Sequence, residues 1–168
     1  MALTQSTMTA EFLRYNRWAN LALIDACAGL SDEQLAAELP GSYGSIYATF
    51  VHLVRAEAGY YRALTKMRLE PPFAWDSHPP LSAMRPYAEE AGSALVAAAE
   101  QLDPAAVVEQ EWQGQTLRYR AAAIFIQAVN HGVEHRTNIT TILAQLGIEP
   151  PAIDGWGYMM AHPAQMGA

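Results

Sequence analysis

The sequence predicts an all-α protein, and three observations carry that reading. Apolar residues recur at helical spacing over four long stretches, and clusters of proline and glycine separate those stretches. The chain is also 51% hydrophobic, rich in alanine and only 16% charged, which suits a compact helical protein and not a disordered one. Its 168 residues fit one domain, residues 1–168, around a single sizeable core.

The first long helix is expected over residues 9–28, with Met8, Phe12, Tyr15, Ala19, Leu23, Ala26 and Leu30 on its buried face. Ser31-Asp32-Glu33-Gln34 has the form of a capping box, in which serine and glutamine side chains satisfy orphaned backbone N–H groups, so it opens a short turn or helix. Pro40-Gly41-Ser42-Tyr43-Gly44 breaks the chain, and Ser45 can cap a second long helix reaching residue 67. The main stripe of that helix is Ile46, Phe50, Leu53, Tyr60, Tyr61 and Leu64. A second face carries Ala48, His52, Ala56, Gly59 and Ala63, small residues that would admit a neighbouring helix around one imidazole. This helix is therefore expected to pack on two sides.

Residues 70–80 contain four prolines and cannot be regular helix; the segment is long enough for a crossover connection or a lid over a site. A third helix is expected over residues 82–102, with Pro86 near its first turn. Between residues 105 and 119, Val107, Val108, Trp112 and Leu117 flank Gln113-Gly114, a pattern that fits either a small hairpin or an irregular connection. The fourth long helix covers residues 120–146, ends at Gly147 and is followed by Pro150-Pro151. Residues 154–161 suit one short helix.

Charge and cysteine usage exclude several function classes. The formal net charge of −7 and the lack of any Lys/Arg cluster argue against general nucleic-acid or anionic-membrane binding. No apolar run is long enough to span a bilayer, and Met1-Ala2-Leu3-Thr4-Gln5 lacks the basic patch and apolar core of a secretion signal, so a cytoplasmic location is expected. Cys27, the single cysteine, cannot form an internal disulfide. Its place near the apolar face of the first helix suits an ordinary core thiol.

The informative polar residues are histidines. At about 100° per residue, Ile124, Ala128, His131, His135, Ile139, Ile142 and Leu146 fall within an arc of about 80°. His131 and His135 thus occupy a core stripe, where imidazoles without partners are unfavourable and a shared divalent cation explains them. His52 on the small-residue face can complete a three-His set. Three ligands on facing helices leave coordination positions for water or substrate, the pattern of a catalytic rather than a closed structural site. His78 lies among prolines and His162 precedes Pro163, and both read as surface residues outside the metal set.

His131-x-x-Glu134-His135 also matches the H-x-x-E-H pattern of inverzincin proteases, in which the glutamate activates water. Those enzymes need a distal carboxylate ligand and a larger fold. On an ideal helix Glu134 points about 60° from His131 and about 100° from His135, so it reads first as a flank residue. Asn138, one turn beyond His135, is the better pocket candidate, able either to orient a ligand or water or to cap a buried polar contact.

Four groups of residues occur in an order and spacing that resemble the DinB/YfiT-like superfamily of small helical metalloproteins. They are Tyr15-Asn16-Arg17-Trp18-Ala19-Asn20; Ser45-Ile46 with Thr49, His52 and Ala56-Glu57; Asn130-His131 with His135-Arg136; and Leu143-Ala144-Gln145-Leu146-Gly147-Ile148-Glu149-Pro150. The resemblance covers almost the whole chain. It implies a four-helix bundle with a long crossover between the second and third helices, often dimeric, in which three histidines hold a divalent metal. Those positions fall here on His52, His131 and His135. Glu57 lies about 140° round its helix from His52 and is not assigned to the ligands.

The resemblance narrows function less than fold, since some members look like transferases or isomerases that use a low-molecular-weight thiol and others like hydrolases. A metal held by three neutral imidazoles remains a Lewis acid able to lower the pKa of a thiol or of water. The leading expectation is a metal-dependent transferase with a low-molecular-weight thiol cosubstrate, which must come from outside because no cysteine lies near the histidines. A metal-dependent hydrolase and a non-catalytic dimeric bundle with a structural metal are the alternatives. Zinc is the first expected metal and nickel the second, imidazole-rich sites favouring nickel, copper and zinc similarly. The substrate would be a small molecule, in a pocket shaped by Tyr15, Trp18, the proline-rich crossover and Trp156, and the chain is expected to form a homodimer.

Overall fold

Apolar periodicity becomes helix over most of the chain. The computed structural model describes residues 5–163, so the reading of Met1-Ala2-Leu3-Thr4 as part of no secretion signal lies outside the described residues. Four long helices, α1 (Gln5–Cys27), α3 (Ile46–Thr65), α4 (Leu81–Gln101) and α5 (Ala121–Gln145), are joined by short α2 (Asp32–Leu35) and followed by short α6 (Gly155–Ala161). A 3-10 turn, Trp75–Ser77, interrupts the proline-rich connection, and strands β1 (Val107–Trp112) and β2 (Gln115–Arg120) precede α5. The protein is predominantly helical, as the all-α class implies, with one small antiparallel sheet where the sequence allowed a hairpin.

The helix boundaries follow from local chemistry. The capping box at Ser31 is present, with Ser31 Oγ accepting from the Gln34 N–H and Gln34 Oε1 accepting from the Ser31 N–H. Ser45 Oγ accepts from the Ala48 N–H at 3.1 Å and opens α3, and Asp154 Oδ1 does the same for α6 from the Gly157 N–H at 2.8 Å. Pro86 sits inside α4, where it removes one backbone donor, and the helix continues through it. The hairpin turns through Gln113 and Gly114, both at positive φ (49° and 77°), with Trp112 paired to Gln115. That two-residue loop with two left-handed residues matches the twist of the flanking strands, which decides the hairpin over an irregular connection.

The core has two apolar clusters with a polar layer between them. One cluster gathers Leu13, Leu64, Leu95, Ile124 and Phe125; the other gathers Leu23, Phe50, Met84, Ile139 and Ile142. Asn16, Asn20, Glu57, His131, His135 and Arg136 are buried at intermediate positions along α1, α3 and α5. Chain order fixes direction: α1 and α5 run from the first cluster to the second, and α3 and α4 run the opposite way. Consecutive helices α3 and α4 are therefore parallel, so the connection between them must return along the length of the molecule. It does so with Leu69, Phe73 and Trp75 packed on the second cluster, fastened by Tyr87 Oη donating to the Leu69 carbonyl and Tyr47 Oη donating to the Pro79 carbonyl, each at 3.1 Å.

Two expectations about helix faces need correction. On α1, Met8 and Phe12 are 52% and 56% exposed and Ala26 is exposed, while Leu13, Asn16, Asn20, Ile24 and Cys27 turn inward beside Ala19 and Leu23. Two asparagines take core positions because they have buried partners, and a stripe drawn through apolar residues alone rotates away from the true one. On α3, Ala48 and Gly59 are exposed, and no atom comes near the place of a Gly59 Cβ. The face is therefore divided: His52 meets α5 and Ala63 is buried in the first cluster, while Ala48 and Gly59 open on solvent. Cys27 is fully buried and its thiol is pushed up to about 12 by that burial, as suits a core residue. No helix among the described residues is long and apolar enough to cross a membrane.

Candidate metal centre

Helix α3 presents His52 and α5 presents His131 and His135 to one point. His131 Nε2 lies 2.9 Å from His52 Nε2 and 3.0 Å from His135 Nε2. The three rings contact one another edge-on or tilted, with centroids 4.2–4.9 Å apart. His131 and His135 are buried and His52 is half-buried. Burial holds all three below the ordinary histidine range, helped by the charge of Arg55 at His52 and by His52 at His135, and His131 is lowered to about 4, mainly by burial and then by His135 and His52. The cluster is consequently neutral at pH 7.

Neutral imidazoles in this arrangement have a problem that a cation solves. Each ring nitrogen offers one in-plane site, either an N–H or a lone pair, so His131 Nε2 can complete one good hydrogen bond while two neighbours press on it. The Nδ1 atoms of His131 and His135 are buried without a hydrogen-bond partner, which confines the polar contacts of these rings to the Nε2 side. A divalent ion where the three lone pairs meet would satisfy all of them. Nitrogen separations of 2.9 and 3.0 Å are within a few tenths of an ångström of the roughly 3.4 Å expected for two nitrogens around one zinc. The donor set is also the imidazole type preferred by zinc and nickel. The three histidines can therefore hold a metal ion, and their ligand atoms lie within 4.8 Å of one another.

Tyr43, from the break before α3, covers the cluster. Its ring stacks on His52 with centroids 4.3 Å apart and meets His135 edge-on at 4.8 Å. Asn138 Oδ1 accepts from the Tyr43 N–H at 3.2 Å, while Asn138 Nδ2 donates to the Glu134 carbonyl. Asn138 thus anchors the covering loop, a third role beside the two expected of it. Glu134 is exposed and is not part of the ligand group, as its position at the edge of the stripe implied.

A buried ionic layer lies alongside. Glu57 Oε1 accepts from Asn16 Nδ2 at 2.6 Å and Asn20 Nδ2 at 2.7 Å, and Arg136 Nη1 donates to Asn16 Oδ1 at 2.7 Å and Asn20 Oδ1 at 2.5 Å. Each asparagine bridges the carboxylate to the guanidinium, uniting α1, α3 and α5. Burial pushes the Glu57 carboxyl up to about 7 against the opposite pull of Arg136 and the two amides. Gly132 makes the approach possible, since a Cβ there would collide with Asn16 Oδ1 and lie 2.7 Å from Arg136 Nη1. Apolar periodicity passes over this layer, although its signal was present: Glu57 occupies the vacant place in the stripe Phe50, Leu53, Tyr60, Leu64.

The remaining candidates sit apart from the histidines or at their edge. Tyr15 and Trp18 pack with Tyr158, and Trp18 meets His162 edge-on. Trp156 is 74% exposed on α6. His78 is exposed and stacks on Tyr47 beside an open cavity of about 640 Å³ that His52 also lines. Of the expected pocket residues, only those of the crossover reach the His52 side.

No curated protein matches the chain. A family model described as the DinB family matches residues 3–166, nearly the whole length. The helical architecture, the three converging histidines and this match together place the chain in the DinB family.

Proposed function

We propose that the chain is a divalent-metal-binding protein in which His52, His131 and His135 are the ligands, and that it acts as a metal-dependent transferase using a low-molecular-weight thiol. The observation that carries the reading is the convergence of three neutral Nε2 atoms whose contacts of 2.9 and 3.0 Å cannot all be satisfied by protons. When bound, the metal would supply Lewis acidity that lowers the pKa of a thiol at a coordination position left open by only three protein ligands. Zinc is the first candidate and nickel the second.

The chain's own residues divide the remaining tasks. The rings of α3 and α5 position the ion, and Tyr43 shields one side of the cluster from water. Glu57 is engaged by Asn16 and Asn20 and so is not free to serve as a base for an activated water. Cys27 is buried with its thiol protonated, so the reacting sulfur would come from a cosubstrate. The parallel pair α3 and α4 supports a single-domain four-helix bundle with the crossover between them. Met8, Phe12, Ile126 and Val133, exposed along an apolar groove between α1 and α5, support a homodimer. Partners in this reading are small molecules, without nucleic acid or membrane, in the cytoplasm.

Elemental analysis of untagged wild type, H52A and H131A after equilibration with limiting zinc and nickel tests the metal reading. The expected result is about one metal per wild-type chain and a loss in both variants. Metal retained without His52, or no metal in wild type, overturns it. For the transferase reading, the loaded protein should bind low-molecular-weight thiols and accelerate their conjugation to electrophiles; thiol-independent ester or amide turnover would replace it with a hydrolase.

A further inference from the structure

An open cavity lies beside His52. Its volume of about 640 Å³ is that of a small-molecule pocket, and its walls are aromatic: Tyr43 on the loop, Tyr47 on α3, and Trp75 with His78 on the crossover. Its one cation is Arg55, one turn along α3 from His52. The ion pairs among the described residues involve other arginines, so Arg55 has no carboxylate of its own there.

Arg55 is nevertheless held in place. Its guanidinium carbon lies 5.4 Å from the centre of the Trp75 ring, and Trp75 is braced edge-on by Phe73 and Tyr87. A cation–π contact of this kind engages no N–H donor in an ion pair, so the donors of the exposed guanidinium remain available. An unpaired guanidinium beside an aromatic wall is suited to a carboxylate attached to an apolar or planar body. Because His52 and Tyr43 line the same cavity, that body would lie at the His52 edge of the three-His cluster.

We propose that this cavity is the substrate subsite of the metal centre, and that Arg55, oriented by Trp75, selects small molecules bearing a carboxylate. The inference rests on the metal-centre reading for the meaning of the word substrate, but its geometry involves Arg55, Trp75 and the cavity alone. A single guanidinium matches a monoanion, and the aromatic walls favour a ligand with an unsaturated or aromatic body over a highly hydroxylated one.

The test compares benzoate with its neutral isostere benzamide at constant ionic strength, on zinc-equilibrated wild type, R55Q and R55K, following the indole N–H resonance of Trp75. Wild type should prefer benzoate by about fivefold or more, since a charge-assisted pair at an exposed site is partly screened. R55Q should bind the two probes alike, and R55K should fall between because an ammonium lacks the planar fork. Zinc content is measured on the same samples. A benzoate preference that survives in R55Q assigns the carboxylate to the metal or another group and overturns the proposal, as does equal binding of both probes by wild type. Wild type without zinc but with an Arg55-dependent preference overturns the metal-centre reading and leaves Arg55 as the carboxylate group.

Discussion

At the scale of single residues, the least visible feature is the buried Glu57–Arg136 layer, and its energetics can be checked directly. Removing Arg136 leaves a buried carboxylate without its guanidinium, a loss of about 3–5 kcal/mol when the carboxylate is charged. The Glu57 carboxyl already lies at about 7 against an ordinary value of 4.5, and losing Arg136 removes a downward pull. A carboxyl raised in the folded state favours folding below the unfolded value and loses that advantage as pH rises through the folded one. R136M should therefore be markedly less stable at pH 8 than at pH 5.5, relative to wild type. R136M/E57Q should recover part of the loss at pH 8, because no charge is left buried. Chemical denaturation at both pH values measures this, and a double variant no more stable than R136M would sink the account. The three-His cluster was more legible: His131 and His135 stood out because imidazoles broke an apolar stripe. Tyr43, whose ring reaches His52 and His135 from a loop outside the helical pattern, left no such mark.

At the scale of elements, legibility tracks how local the cause is. Ser31, Ser45 and the proline-rich stretch act through their own backbone neighbours, so the ends of α2 and α3 and the crossover could be read from a few residues. The inward face of α1 could not, because Asn16 and Asn20 are buried by virtue of partners on α3 and α5. The small-residue face of α3 was legible in part: α5 does approach around His52 and Ala63 is buried, but Ala48 and Gly59 stay open to solvent. The hairpin turn has a local cause that the chain meets imperfectly. Gln113 adopts φ 49°, a left-handed conformation that a glutamine adopts less readily than an asparagine, ahead of Gly114 at φ 77°. Q113N should raise stability by about 0.5 kcal/mol, with the turn chemistry matched to its geometry. Thermal melting should show an increase of about 1–2 °C. An unchanged or lower midpoint would mean that the exposed Gln113 side chain contributes something the turn geometry does not show.

At the scale of the whole molecule, two apolar clusters lie either side of a polar layer, and the three-His cluster sits within that layer between α3 and α5. The layer contributes less hydrophobic stabilisation than an apolar core of the same size, since its polar groups gain only modestly from pairing after losing water. A metal bound there would stabilise the folded chain alone, because the unfolded chain does not bring residues 52 and 131 together. At free metal about a hundredfold above Kd the linkage amounts to about 2.7 kcal/mol, which for a chain of this length corresponds to a rise in Tm of roughly 5–10 °C. Wild type should show that rise on zinc addition and lose it on chelation. H131A should show neither, while R55Q should keep a zinc-dependent rise because Arg55 lies outside the ligand group. Differential scanning fluorimetry across a zinc titration provides the measurement, read as the dependence of Tm on free metal. A wild-type midpoint indifferent to zinc and nickel would mean that the three rings tolerate their crowding without a cation, and that packing alone holds α3 against α5.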